Sequence, residues 1–300
     1  MDKPRLYVLV GLSGSGKSTL AAQLAENDKN TIVVSSDAIR EELTGKVEDQ
    51  SRNNDVFEIF HNRIRENLKK GKNVVADATN ITIKSRRAIL NIANGTDVDK
   101  ICILCAKPFE LCKHDNTQRE HPVPDSVLDK QIRRFQIPFY EEGWDEIKIS
   151  TSYVSHRLGS IADVLNKMVG FDQKNPHHNK ALHEHGAAVL NQFIRFTDCD
   201  SYVFAALIHD VGKLYTQTFD ENGIAHYFGH ESVGAYLMME KMINEPGFNK
   251  NAVLECCFLI NYHMLPFGWD TEAAKKRWRK IFGEDKYLML TRFHECDIKE

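Results

Sequence analysis

An apolar run, Leu6–Val10, leads directly into Gly11-Leu12-Ser13-Gly14-Ser15-Gly16-Lys17-Ser18, and an amphipathic stretch starting at Lys17 leads out. No other feature constrains the chain as much. Strand, glycine-rich turn and helix in that order form a loop whose backbone N–H groups can wrap an anion at a helix N-terminus. The pattern is that of a P-loop. Gly11, Ser13, Gly14, Ser15 and Gly16 would shape and supply the cradle, with Lys17, Ser18 and Thr19 continuing it. Lys17 would place its charge on the β and γ oxygens of a nucleoside triphosphate, and Ser18 would offer its hydroxyl to Mg²⁺. ATP with Mg²⁺ is therefore the expected cofactor pair.

The run that begins at Leu6 has four counterparts, at Thr31–Val34, Asn73–Ala76, Lys100–Cys105 and Glu146–Ile149. Helix-like segments lie between them: Lys17–Glu26, Asp37–Leu43, Asp55–Lys70, Ser85–Ala93 and Ser126–Phe135. Such alternation predicts a parallel sheet flanked by helices, an α/β fold. The second half instead carries helical periodicity at Leu182–Phe196, Tyr202–Asp210, His230–Ile243 and Lys250–His263, which predicts an all-α region. The expected division is 1–152 for the α/β domain, 153–172 for a linker containing an amphipathic piece at Ile161–Val169, and 173–300 for the helical domain.

Composition separates the halves further. Three of the thirteen histidines precede residue 150 and ten follow it. A hydrophobic share of 42% with 27% charged residues is that of a globular chain with a packed core. The net charge of −3 excludes a strongly basic nucleic-acid binder, though not a local positive groove. Seven cysteines, with no signal-like N-terminus and no apolar run long enough to span a bilayer, point to reduced thiols and a cytoplasmic location. Cys102 and Cys105 form a CxxC, but a spacing of three in a strand puts them on opposite faces, as core thiols. Arg63, Arg65, Lys69, Lys70 and Lys72 read as a solvated helix face.

Ligands of open parallel sheets bind beyond the carboxyl ends of the strands. Asp37 follows the second strand and Asp77 the third, so both carboxylates are expected on the rim that carries Lys17. One can act as general base toward an acceptor hydroxyl and the other can hold a Mg²⁺ water. Taken alone, Asp37 also reads as a helix N-cap.

Asp37-x-x-Arg40, Asp77-x-Thr79-Asn80 followed by Arg86-Arg87, and an Arg119 segment leading into Val123-Pro124 resemble the bacteriophage-type polynucleotide 5′-kinases over most of residues 5–150. The resemblance implies that Asp37 activates a 5′-hydroxyl and Arg40 engages a nearby substrate phosphate. It also implies that Arg119, on a lid, acts on the transferred phosphoryl, and that Asp77, Thr79 and Asn80 help to bind substrate. The lid pattern Arg-Asn-x-x-Arg is broken here: Asp115-Asn116-Thr117-Gln118-Arg119 has an acid in the first position. Lys113 and Arg87 are the residues that could replace that arginine.

The second half carries His183-Glu184-His185, the doublet His209-Asp210 followed by Gly212-Lys213, Gly229-His230-Glu231, His263 and Asp297. A neutral imidazole beside a carboxylate suits a divalent transition metal. In this order, and with Asn175-Pro176-His177-His178 and Phe219-Asp220-Glu221-Asn222-Gly223, the half resembles the HD phosphohydrolases, close to the HD domain of bacterial tRNA nucleotidyltransferases. That resemblance implies a metal (Mn, Ni, Co, Zn or Fe) held by His185, His209, Asp210 and Asp297. His230 and His263 are available to a second ion or to substrate, Asp210 is catalytic, and His178 and Lys213 meet a phosphate. His226 and His294 read as structural.

A 5′-OH kinase joined to a metal phosphohydrolase is expected to heal broken nucleic-acid ends, RNA above DNA, leaving them for a nucleic-acid ligase. The alternatives are a small-molecule kinase joined to an HD nucleotidase, and an ATP-controlled RNA-binding module without catalysis.

Overall fold

The computed structural model describes residues 3–151, 159–176 and 180–299. The chain divides into two compact units, Met1–Gln131 with Glu142–Tyr153, and Ile132–Glu141 with Val154–Glu300.

The first unit is built on five parallel strands, β1 (Arg5–Val10), β2 (Thr31–Ser35), β3 (Asn73–Asp77), β4 (Asp99–Cys105) and β5 (Glu146–Ser150), in the order β2-β3-β1-β4-β5. All five expected strands form. Helices α1 (Lys17–Asn27), α2 (Ser36–Thr44), α3 (Asn53–Lys69), α4 (Ile83–Ala93), α5 (Phe109–Thr117) and α6 (Asp125–Ile132) connect them. β1 is central, and Leu6, Val8, Leu9 and Val10 are fully buried. Its register against β3 pairs Val8 with Ala76, and β3 against β2 pairs Ser35 with Asp77. The carboxyl ends of β1, β2 and β3 are thereby aligned on one rim, at the switch point where the strand order reverses. Cys102 and Cys105 are free, buried thiols, and burial pushes Cys105 up to about 11. Arg63 pairs with Glu42, at 2.5 Å, on the surface.

Two local expectations change. The helix expected over Ser126–Phe135 stops at Ile132. Beyond it the chain turns into the second unit, where Ile132, Phe135, Ile137 and Phe139 are buried. Phe135 packs edge-on against Tyr236, and Phe139 against Phe258, Tyr262 and Phe282. Asn261 fixes this strap: its Oδ1 accepts from Ile137 N at 2.6 Å and its Nδ2 donates to Phe135 O at 3.0 Å. The second change is α5, which periodicity does not flag because its buried positions are only Cys112 and Asn116.

The second unit is helical: α7 (Ile161–Met168), α8 (Leu182–Phe193), α9 (Asp200–Ile208), α10 (Lys213–Thr216), α11 (His230–Met242), α12 (Lys250–Tyr262) and α13 (Glu272–Asp297), which Gly283 breaks with φ 74°. α7 lies in the stretch expected to link the domains and buries Val164 and Met168. The all-α expectation omits a short hairpin, β6 (Thr218–Phe219) with β7 (Ala225–His226). No described helix is long and apolar enough to cross a membrane.

Candidate functional sites

The loop after β1 is shaped by Gly14 and Gly16, at φ 79° and 87°. Gly14 must be glycine for a second reason: a Cβ there would lie 2.2 Å from Cys112 O on α5. No side chain caps α1, so its first-turn N–H groups are offered to an anion at Gly16, Lys17, Ser18 and Thr19. Lys17 is buried and donates to Leu12 O at 2.8 Å; burial lowers its pKa, while the Asp77 carboxylate acts in the opposite sense. Ser18 Oγ donates to Asp77 Oδ2 at 2.9 Å. Burial raises the pKa of Asp77 against the pull of Lys17 and the Ser18 hydroxyl. Ser15 Oγ is buried without a hydrogen-bond partner.

Asp37 is not a helix cap. Ser35 caps α2, accepting from Ala38 N, and Asp37 sits in the first turn with its side chain half-exposed. Its Oδ1 is 2.8 Å from Arg40 and its Oδ2 is 3.5 Å from Arg119. Arg40 also donates to Asn53 Oδ1 at 3.2 Å, and its Nε is buried without a partner. Lys17, Ser18, Asp37, Arg40, Asp77 and Arg119 thus share one rim.

Three expected site residues are otherwise engaged. Asn80, at φ 47°, donates to Leu9 O at 2.9 Å and is buried. Thr79 O accepts from Gly11 N at 3.0 Å. The Asn80 amide and the Thr79 carbonyl thereby help to hold the rim together. Ser13 is gripped by Gln131, whose Oε1 accepts from Ser13 N at 2.8 Å and whose Nε2 donates to Ser13 Oγ at 3.0 Å. Gln131 lies on α6, and only tertiary packing reveals it. Arg86 forms a fully buried pair with Glu142 at 2.5 Å. Asp115, where the lid pattern has arginine, is paired with Lys107 and lies 3.0 Å from His114 Nδ1. Lys113, one of the residues considered as a replacement for that arginine, pairs with Asp129 at 3.2 Å.

In the helical unit, His185 from α8, His209 and Asp210 after α9, His230 at the start of α11, His263 after α12 and Asp297 at the end of α13 converge. Gly212 allows the approach of α11: a Cβ would be 1.9 Å from His230 O. His185 Nε2 lies 3.1 Å from Asp297 and 3.6 Å from Asp210. His209 Nε2 lies 3.2 Å from Asp297 and 3.4 Å from Asp210, yet it is buried with no aligned hydrogen bond. On the other side of Asp210, Oδ1 is 3.1 Å from His230 Nε2 and 3.6 Å from His263 Nε2.

The orientation of the rings tests whether these residues suit a metal. His209, His230 and His263 each place Nδ1 on the carbonyl three residues upstream, Ala206, Tyr227 and Ile260, at 2.7–2.9 Å. With Nδ1–H donating outward, each Nε2 lone pair is aimed inward, as a ligand's must be. Burial opposes charge on His209, but Asp210 and Asp297 outweigh it and raise its pKa to about 10, so a dication binding at Nε2 would displace the proton that the two carboxylates hold there. His185, His209 and Asp210 form one candidate metal-binding group, and Asp210, His230 and His263 another, with Asp210 shared. The residues fit a dication.

Lys213 Nζ is 2.6 Å from Asp210 and donates to buried Gln173 Oε1 at 2.8 Å. Gln173 is a second residue that the sequence did not flag. His226 pairs with Asp220 at 3.3 Å, and His294 packs on Phe267. His178 lies outside the described residues.

Residues 6–138 match the family model described as AAA domain. Among curated proteins, the chain is 28% identical over 153 residues to L-seryl-tRNA(Sec) kinase of Methanococcus maripaludis, covering 49% of this chain and 59% of that one. It is 30% identical over 156 residues to the bifunctional polynucleotide phosphatase/kinase of Schizosaccharomyces pombe, covering 49% of this chain and 33% of that one. The match thus spans less than two thirds of either relative. Among solved structures, a fungal RNA kinase superposes with a TM-score of 0.37 at 16% identity, over 51% of this chain and 78% of that one.

Proposed function

We propose that the α/β unit is an ATP-dependent 5′-OH polynucleotide kinase acting on RNA in preference to DNA. The observation that carries this reading is the meeting of Asp37 and Arg119 on the rim that holds Lys17, Ser18 and Asp77. The two kinase relatives, one named for L-seryl-tRNA(Sec) and one for polynucleotides, support the coarser part of it, a kinase acting on a nucleic-acid substrate.

On this proposal the chemistry is an in-line phosphoryl transfer. ATP would bind with its phosphates on the first-turn N–H groups of α1 and on Lys17, and Ser18, whose hydroxyl donates to Asp77, would hold Mg²⁺. Asp37, open to solvent, takes the proton of the acceptor hydroxyl. The acceptor oxygen bonds to the γ-phosphorus as the bond to the β–γ bridging oxygen breaks, and ADP leaves. Arg119 stabilises the charge gathered on the transferred phosphoryl. Arg40, with its unpartnered Nε, holds a substrate phosphate.

The helical unit, on this proposal, is a metal-dependent phosphohydrolase that removes 2′,3′-cyclic or 3′-phosphate ends. His185, His209, Asp210 and Asp297 would hold the ion, with His230 and His263 serving a second ion or the substrate. Bound there, a transition-metal dication supplies Lewis acidity toward a phosphate oxygen. Lys213, steadied by Gln173, meets another phosphate oxygen. Together the activities would leave ends that a nucleic-acid ligase can join.

The test offers labelled ATP and Mg²⁺ to a 5′-OH RNA oligonucleotide beside a free nucleoside, with Asp37→Ala as control. Label on the RNA, lost in the variant, is the expected result. Label on the nucleoside alone would support the small-molecule kinase joined to a nucleotidase, which the acid at Asp115 favours. ATP turnover with neither acceptor labelled would leave the non-catalytic RNA-binding reading.

A further inference from the structure

The loop bearing Arg119 has a built base, and all of it runs through Asn116. This side chain is buried at the end of α5, 1% exposed. Its Nδ2 donates to Val123 O at 2.7 Å, and its Oδ1 accepts from Val123 N at 3.1 Å. Its own carbonyl accepts from Arg119 N at 3.2 Å. One residue therefore opens the turn into Arg119 and closes the loop beyond it.

The sequence around Val123 suits this clasp. His121-Pro122-Val123-Pro124 puts Val123 between two prolines, so its N–H is the single backbone donor of that tripeptide and its backbone is biased to be extended. An extended residue presents N–H and C=O together to one amide side chain, and the Asn116 amide supplies the matching acceptor and donor. At the other end the clasp rests on the phosphate-binding loop: the space where a Cβ of Gly14 would lie is bounded by Cys112 O at 2.2 Å and Asn116 N at 3.2 Å.

We propose that Asn116 is a positioning residue that fixes Arg119 over the phosphate-binding loop. The inference rests on the kinase reading only for what Arg119 does there. A loop tethered to Gly14 at one end and locked at Val123 at the other holds the guanidinium near Asp37 before substrate arrives. Such preorganisation lets the charge act without reorganisation cost during transfer.

Two measurements on the full chain test it. In hydrogen exchange, the Val123 amide should be protected in the wild type and should exchange at least about tenfold faster in Asn116→Ala, with protection of the loop after β1 unchanged. Equal exchange in the two proteins would overturn the clasp, whatever the protein does. In ATP turnover, Asn116→Ala should lower kcat about 10- to 100-fold with KM for ATP within about twofold, the penalty expected of a misplaced catalytic group. Asn116→Asp, which keeps only the acceptor, should fall between. In an Arg119→Ala background Asn116→Ala should cost nothing more. A full kcat loss persisting in that background, or a rise in KM matching the fall in kcat, would mean a merely structural role. If protection is lost as expected but no acceptor is labelled even by the wild type, the clasp stands and the kinase reading falls.

Discussion

The phosphate-binding loop and the histidine cluster solve opposite electrostatic problems. The loop presents Lys17 and the uncapped N-terminus of α1, both of which attract an anion. The cluster surrounds the carboxylates of Asp210 and Asp297 with imidazoles whose Nε2 atoms face inward, which attracts a cation. Their construction differs as much as their sign. The loop is made by consecutive residues and two left-handed glycines. The cluster draws its groups from five helices, and its donors span His185 to Asp297. Glycine serves both by removing a Cβ where backbone must approach: Gly14 beneath Cys112, and Gly212 beneath His230. The comparison teaches that an anion site can be assembled locally, whereas a cation site of this kind needs the whole unit.

The sharpest way to break the comparison is Lys17→Ala. ATP-dependent transfer should fall about 10³-fold or more, while the metal content of the purified protein, read by mass spectrometry, should not change. Loss of both would mean that the sites are not independent. Next in size, Gly212→Ala should destabilise the helical unit by about 3 kcal/mol in denaturant unfolding, because its Cβ would meet backbone that cannot yield. A small effect would show that α11 can move away from Asp210. Manganese at about a hundredfold over its Kd should stabilise the wild type by roughly 2.7 kcal/mol, a shift absent from Asp210→Ala and reversed by chelator. Equal shifts in both would place the ion elsewhere. The smallest expected effect is at Gln131. Removing its two bonds to Ser13 in Gln131→Ala should raise KM for ATP by up to about tenfold, on the order of 1 kcal/mol. An unchanged KM would mean that the loop needs no external brace.

Legibility in the sequence followed the same division. All five strands and the glycine-rich loop were readable, because a buried parallel strand announces itself as a short β-branched run and a P-loop as contiguous spacing. His185, His209, Asp210, His230, His263 and Asp297 were readable as chemistry, though only through resemblance, since residues so far apart carry no shared periodicity. Asn80 also braces the strand end, a role the sequence does not show, because a polar residue there looks the same whether it faces a ligand or Leu9 O. Asp37 taken alone reads equally as a helix cap, and only the structure shows that Ser35 takes that place on α2.

What the sequence determined by itself, then, is the local conformation: where backbone must turn left-handed, which runs are buried, and which side chains could hold a phosphate or a metal. Tertiary structure decided the partners. It gave Ser13 to Gln131, Val123 to Asn116, Lys213 to Gln173, and the strap after Ile132 to Asn261. In each pairing at least one partner, Gln131, Asn116, Gln173 or Asn261, is unmarked by the sequence as holding the other, because a buried polar group must find a partner and the fold determines which one is within reach.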